Sequence, residues 1–220
     1  MIRFNQPDRL NGMTQGMKRD LIETLLQAQM DDAVRIVLFT GSGRAFSAGD
    51  DISGKPPSSG EAQALVPPIP GGHHNPIGTY DGLRALSQPL NRAVRELDKL
   101  SIAAINGVAI QTGFSLALSC DFRIASTEAR MGSGTLRFGL MPDEGGQYLL
   151  VQAMGVPKTI DFLMRTASSP ARRRSRSVSC TKSCRPASSK PARWIWRANS
   201  RPARKWRCAC SSARSTTRPS

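Results

Sequence analysis

Three glycine-rich turns are the places in this sequence where backbone amides could do chemistry. The first two adjoin apolar, strand-like runs: AFSAGDDI at 45–52 follows residues 34–40, and IQTGF at 110–114 closes residues 102–110. The third turn, GLMPDEGG, covers residues 139–146. A turn from a buried strand into a helix presents unpaired N–H groups, which stabilise developing negative charge. Each turn alone is typical of an ordinary strand-to-helix connection, but the three together favour an anion-stabilising site.

Apolar strands and amphipathic helices alternate along the chain and must position these turns. Residues 17–30 and 83–100 have apolar residues at helical spacing, and the first of these helices presents Leu21 and Leu25 on its apolar face. Residues 34–40 and 102–110 are predicted to be buried strands, the second interrupted by Asn106-Gly107. The alternation predicts an α/β fold with strands buried on both faces.

The composition of the chain changes abruptly at residue 166. The 220 residues contain 31 Lys and Arg against 16 Asp and Glu, and the net charge of +15 arises entirely after residue 165, where no acidic residue occurs. All three Trp and four of the five Cys also lie there. We therefore divide the chain into one domain at 1–165 and a basic tail at 166–220, which we expect to be poorly ordered because its charges repel each other.

The tail is predicted to be an out-of-frame translation. GC-rich codons for CTKSCRPA at 180–187, read from the third base, give HEVVPAG, and the same frame continues with apolar residues at helical spacing. The alternative is a genuine basic tail, which would bind nucleic acid through phosphate contacts and Trp stacking. The cysteines of the tail have C-x3-C and C-x-C spacings, which fit zinc sites poorly, so we expect the chain to bind no metal ion.

Two further features bear on location. The sequence contains no apolar run long enough to span a membrane, and its first residues, MIRFNQPDRLNG, are polar. Residues 1–165 contain one cysteine, Cys120, which suits a reducing compartment rather than a disulfide framework. We expect a cytoplasmic protein that does not bind membranes.

Residues 2–165 resemble the crotonase, or enoyl-CoA hydratase/isomerase, superfamily. The matching segments, in order, are NQPDRLN at 5–11, FSAGDDI at 46–52, AAINGVAIQTGFSLALSCDFRIAS at 103–126 and FGLMPDEGG at 138–146. The alternate-frame text EEALELGLVHEVVPAGEL continues the family pattern. The resemblance implies a superhelical core of ββα units. The family's first strand is mostly absent before Asn5, so we expect this core to be incomplete at both ends.

The resemblance also implies a site for a CoA thioester in fatty-acid metabolism. The two oxyanion donors would be the amides of Ala48 and Thr112. Residues Ala48, Gly49, Asp50 and Asp51 would line the thioester and pantetheine, while Arg9 and Leu10 would lie near the nucleotide; a solvated surface charge is the alternative for Arg9. Coenzyme A would enter as part of the substrate, with no separate cofactor. An intact C-terminus would build a homotrimer or hexamer.

This sequence departs from the hydratase pattern at two residues. Ser115 and Thr135 stand where hydratases, which are lyases, carry two glutamates, and neither hydroxyl is a competent general base by itself. Asp143 matches the position of the catalytic carboxylate in several isomerases of the family. Glu144 beside it would assist or face solvent. Double-bond isomerisation is therefore favoured over hydration.

Two alternatives remain open at the level of sequence. Asp143 follows Pro142 and precedes two glycines, so it would also serve as a helix cap without any catalytic role. The second alternative is a protein that keeps the CoA-thioester site but has lost catalysis through Ser115, Thr135 and the altered C-terminus.

Overall fold

The computed structural model describes residues 1–52, 76–138, 141, 144–164, 169–170 and 182–184. Its helices are α1 (Gln15–Met30), α2 (Pro76–Gly82), α3 (Gln88–Arg95), α4 (Thr112–Ser119), α5 (Gly146–Met154) and α6 (Val156–Met164). A π-helical segment, Leu83–Ser87, joins α2 to α3, and short 3-10 helices lie at Pro7–Arg9 and Thr135–Phe138. None of the helices in these ranges is long and apolar enough to cross a bilayer.

The strands form two sheets. The first runs in the order β1 (Ile2–Phe4), β2 (Ile36–Gly41), β4 (Leu100–Ile105), β6 (Phe122–Ser126) and β9 (Lys182–Cys184), all parallel. The second runs in the order β3 (Ala45–Ser47), β5 (Val108–Ile110), β7 (Arg130–Gly132) and β8 (Ser169–Pro170), with β8 antiparallel to β7. Successive ββα units, such as β4–β5–α4 and β6–β7–α5, place one strand in each sheet. The predicted α/β fold with a ββα core is confirmed.

The prediction of a single interrupted strand at 102–110 was wrong. The chain leaves the first sheet after β4 and enters the second at β5, so Asn106-Gly107 is a corner between two sheets. The Asn106 side chain fixes the corner, because its Nδ2 donates to the carbonyl of Gly43 at 2.9 Å and its Oδ1 accepts from the Gly41 amide at 3.1 Å. A Cβ at Gly107 would lie 2.0 Å from the carbonyl oxygen of Arg44, so no larger residue fits there.

The amphipathic helix predicted at 17–30 is confirmed as α1. Thr14 caps it, accepting a hydrogen bond from the Met17 amide at 3.2 Å, and Leu21 and Leu25 are buried. The second predicted helix, 83–100, ends earlier than expected, at Arg95, because Leu100 already belongs to β4. Aromatic rings pack where the two sheets meet, with Phe4 of β1 edge-on to Phe46 of β3 at a centroid distance of 5.3 Å.

Five residues of the basic tail are described. Ser169–Pro170 form β8, and Lys182–Cys184 form β9, which pairs in parallel with β6 over Ile124–Ser126. These two short strands do not contradict our expectation of a poorly ordered tail, which stays a prediction for residues 166–220. The remaining tail residues lie outside the described part of the chain.

Candidate active site

The first glycine-rich turn follows β3 and lies against the second. Gly49 has a φ of +98°, and a Cβ there would lie 3.0 Å from Cβ of Gln111 and 3.1 Å from the carbonyl oxygen of Ile110. On its other side the turn is tied to Met13, whose amide donates to the Gly49 carbonyl at 2.8 Å and whose carbonyl accepts from the Asp51 amide at 3.0 Å. The two turns are thus in direct contact, as an anion-binding site built from both would require.

The amide that we predicted as the donor in this turn is already bonded. The N–H of Ala48 donates to the carbonyl of Leu10 at 3.0 Å, so it cannot point at a substrate oxygen while this bond is intact. The Gly49 amide is also used, because it donates to Oγ of Ser47 at 3.2 Å. Within the described residues, the amide of Asp50 makes no hydrogen bond, and it replaces Ala48 as the candidate donor.

The second turn leads into α4, whose first residue is Thr112. The N-terminal amides of an α-helix have no partner within the helix, and here the first intrahelical bond runs from the Ser115 amide to the Gln111 carbonyl, at 2.8 Å. Gln111 has φ +51° and ψ −122°, a conformation that favours glycine and costs a residue with a side chain on the order of 1–3 kcal/mol. This strained residue turns the chain so that the Thr112 amide is left at the helix start.

A partly buried ionic network connects the two turns. Asp50 Oδ1 accepts a hydrogen bond from Thr112 Oγ1 at 2.6 Å and lies 2.8 Å from Nζ of Lys18. Lys18, on α1, is only 5% exposed, and its Nζ also donates to Oγ of Ser87 at 2.8 Å. Sequence analysis missed Lys18, because a lysine within an amphipathic helix is ordinarily on the solvent face and nothing in its neighbours indicates burial.

Arg9 forms an ion pair with the turn instead of standing in solvent. Its Nη1 donates to Asp51 Oδ2 at 2.9 Å, and the Asp51 side chain is only 7% exposed. The alternative of a freely solvated Arg9 is therefore wrong. Leu10, the other residue predicted near the nucleotide, contributes its carbonyl to the bond that holds the Ala48 amide.

The positions that depart from the hydratase pattern are buried hydroxyls with hydrogen-bond partners. Ser115 Oγ donates to Glu144 Oε1 at 2.9 Å, and Glu144 is 3% exposed. Thr135 shares a 2.8 Å hydrogen bond with Ser133. The sequence allowed Glu144 either to assist Asp143 or to face solvent, and the structure shows that Glu144 does not face solvent.

Asp143 lies outside the described residues, but the helix after it is defined. The N-cap of α5 is Gly145, which has no side chain to accept a hydrogen bond. Asp143 therefore does not occupy the N-cap position that a capping role would require. Within the described ranges, no group of three or more His, Cys, Asp and Glu side chains could hold a metal ion.

Comparison with known proteins agrees with this architecture. The family model for enoyl-CoA hydratase/isomerase matches residues 1–169. Among curated relatives, the chain is 34% identical over 158 residues to 1,2-epoxyphenylacetyl-CoA isomerase of Escherichia coli, covering 70% of this chain and 54% of the relative. It is 32% identical over 158 residues to probable enoyl-CoA hydratase 1, peroxisomal, of Arabidopsis thaliana, covering 72% and 52%. The chain thus spans about half the length of these relatives.

Solved structures show the same fold. An enoyl-CoA hydratase from Bacillus anthracis superimposes with a TM-score of 0.70 at 24% identity, over 83% of this chain and 65% of that one. A putative enoyl-CoA hydratase from Streptomyces coelicolor gives a TM-score of 0.69 at 28% identity, over 83% and 62%. With the matched family model, the ββα core and the paired turns, these findings show that the chain belongs to the enoyl-CoA hydratase/isomerase family.

Proposed function

We propose that this protein binds an acyl-CoA thioester, stabilises the enolate that forms at its carbonyl, and moves a double bond rather than adding water. The observation that carries the proposal is the contact between the two turns. Each turn offers one backbone amide that has no acceptor among the residues the structure describes, at Asp50 and at Thr112. An amide held in a fixed turn and an amide at a helix start both stabilise an oxyanion, because their dipoles are oriented before the charge develops. Asp50 takes the donor role that we had assigned to Ala48.

The proton that is transferred in double-bond isomerisation must then be moved by a residue of the third turn. Ser115 and Thr135 provide only buried hydroxyls, so the two-glutamate route to hydration is absent at these positions. Asp143 is the proposed general base. Its neighbour Glu144 supports this assignment, since the 2.9 Å bond from Ser115 Oγ to Glu144 Oε1 anchors the third turn on α4, the helix that begins with the Thr112 amide. Glu144 would thus hold the base in place and assist proton transfer.

The rest of the predicted site follows the same turns. We propose that Gly49, Asp50 and Asp51 line the thioester and pantetheine, and that the Arg9–Asp51 ion pair and Leu10 form the edge towards the nucleotide. Coenzyme A would be bound as part of the substrate. Assembly into a homotrimer or hexamer, and the out-of-frame origin of the tail, remain predictions. The family assignment favours this function over nucleic-acid binding by the tail.

The test is turnover of 3-enoyl-, dienoyl- and 2-enoyl-CoA by Asp143→Asn and Glu144→Gln, in this chain and in one whose C-terminus follows the alternate frame. Asp143→Asn should lower isomerisation by about 10²-fold or more, in line with the loss of a positioned base. Glu144→Gln should have a smaller effect, and the exposed Glu128→Gln is the matched control. Rapid hydration of 2-enoyl-CoA, or an unchanged isomerisation rate in Asp143→Asn, would refute the mechanism. Binding without turnover of any substrate would indicate a CoA-thioester-binding protein instead.

A further inference from the structure

The two residues whose amides would form the oxyanion site are also bonded to each other through their side chains. Thr112 Oγ1 donates to Asp50 Oδ1 at 2.6 Å, and the ammonium of Lys18 lies 2.8 Å from the same oxygen. We propose that Lys18, Asp50 and Thr112 form a clasp that fixes the spacing of the two amides, with Lys18 as a positioning residue. This inference rests on the function proposed above.

Contacts with three segments of the chain hold Lys18 in place. Its own amide donates to the Thr14 carbonyl at 3.0 Å in the capped first turn of α1. Its ammonium donates to Asp50 Oδ1 and to Oγ of Ser87, which is the last residue of the π-helical segment. The ammonium is therefore held between α1, the turn after β3, and the helix before α3. A π-helical segment changes the direction in which side chains leave a helix and often marks a functional site.

Stability alone does not account for this arrangement. Removing two charges from water is expensive, and a buried ion pair is often no more stabilising than apolar side chains of the same volume. An ion pair of this kind contributes geometry, because the short hydrogen bonds tolerate little change in the positions of Asp50 and Thr112. The bond to Thr112 joins the turn after β3 to the start of α4, which are otherwise in contact at Gly49 and Gln111.

Lys18 also has an electrostatic consequence. The carboxylate of Asp50 belongs to the same residue as one proposed donor amide, so without a counter-ion it would repel the enolate that the amide stabilises. The buried ammonium cancels this charge. Loss of Lys18 should therefore damage the site more than loss of the Thr112 hydroxyl, and neutralising Asp50 as well should restore part of the activity.

The test uses the full 220-residue chain and a 4-dimethylaminocinnamoyl-CoA thioester, whose absorption band moves to longer wavelength as its carbonyl is polarised. The wild-type protein and Thr112→Ser, which keeps the hydroxyl, should show the full shift. Thr112→Val should lose most of the shift and about tenfold in kcat with little change in KM, because a misplaced donor weakens the transition state. Lys18→Met should lose about a hundredfold in kcat, and Lys18→Met/Asp50→Asn should recover part of that loss.

The control is Thr159→Val, which removes a different buried threonine hydroxyl, one that donates to the Gly155 carbonyl at 2.9 Å. It should lower stability as Thr112→Val does but leave the band shift intact. If Lys18→Met does not fold, the comparison of Thr112→Ser with Thr112→Val decides. A full shift in Thr112→Val would overturn the clasp while leaving the oxyanion site in place. Absence of any shift in the wild-type protein would overturn the proposed function, and the clasp with it.

Discussion

Gly113, the second residue of α4, tests how closely the two amide turns must approach. A Cβ at this position would lie 2.6 Å from both Cβ and the carbonyl oxygen of Ser47, a fully buried residue. Ordinary contacts begin near 3.4 Å, so Gly113→Ala must push α4 away from β3 by several tenths of an ångström. Alanine in a helix is favoured over glycine by about 1 kcal/mol, but overpacking of a buried contact costs about 1–3 kcal/mol. The clash of the added Cβ with the backbone and the short side chain of Ser47 should therefore outweigh the gain in helix propensity.

We expect Gly113→Ala to lower the free energy of unfolding by up to about 2 kcal/mol, which is the overpacking cost less the helix gain, and kcat by about 10²-fold, because the displaced helix carries the Thr112 amide proposed as a donor. Urea unfolding followed by circular dichroism measures the first effect, and isomerase turnover the second. Gly82→Ala is the matched control: Gly82 is also helical, nothing lies within 4 Å of its added Cβ, and it should gain about 0.5–1 kcal/mol. A Gly113→Ala protein as stable and as active as the wild type would refute this reasoning.

Two further predictions concern residues outside the turns. Asn11→Ala should lower the free energy of unfolding by about 3 kcal/mol in urea titration. Asn11 is fully buried, its amide donates to the Ser42 and Ala45 carbonyls, and its side-chain oxygen accepts from the Gln6 amide. A loss below about 1 kcal/mol, the range expected for the exposed control Thr24→Ala, would contradict this prediction. Burial raises the pKa of the Cys120 thiol to about 12, so mass spectrometry should find Cys120 unalkylated by iodoacetamide at pH 8 unless the chain is unfolded. That raised pKa stabilises the fold fully below the ordinary value of 9.0, and this contribution is lost as pH rises through about 12. If Cys120 in the folded chain were labelled as fast as in the unfolded chain, the conclusion that its thiol is buried would be refuted.

Local patterns were enough to predict the elements that carry the site. The apolar face of α1 follows from residues three and four apart. The strands predicted at 34–40 and from residue 102 overlap the observed strands Ile36–Gly41 and Leu100–Ile105, because β-branched and apolar runs are signals that arise from neighbours in the sequence. The glycine-rich turns and their order predicted the family. Those parts of the prediction depend on short-range geometry, which the sequence specifies directly.

The corner at Asn106 shows where that reasoning fails. The segment 102–110 is apolar throughout, and the bend within it is imposed by contacts with Gly41, Gly43 and Arg44, which lie more than sixty residues away in the chain. The three-residue strands β3, β5 and β7 are likewise too short to show a period of two. The second sheet could therefore not be predicted from local sequence.

The sequence by itself determined the family, the α/β alternation and the positions of the glycine-rich turns, because each of these is written in residue type and spacing. Only the tertiary structure decided which amide is available: the hydrogen bond from Ala48 to Leu10 removes one candidate and leaves Asp50. It also decided that Lys18 is buried against Asp50 and Ser87. Hydrogen bonds and ion pairs between distant segments depend on where the folded chain places them, and no local pattern in the sequence records that placement.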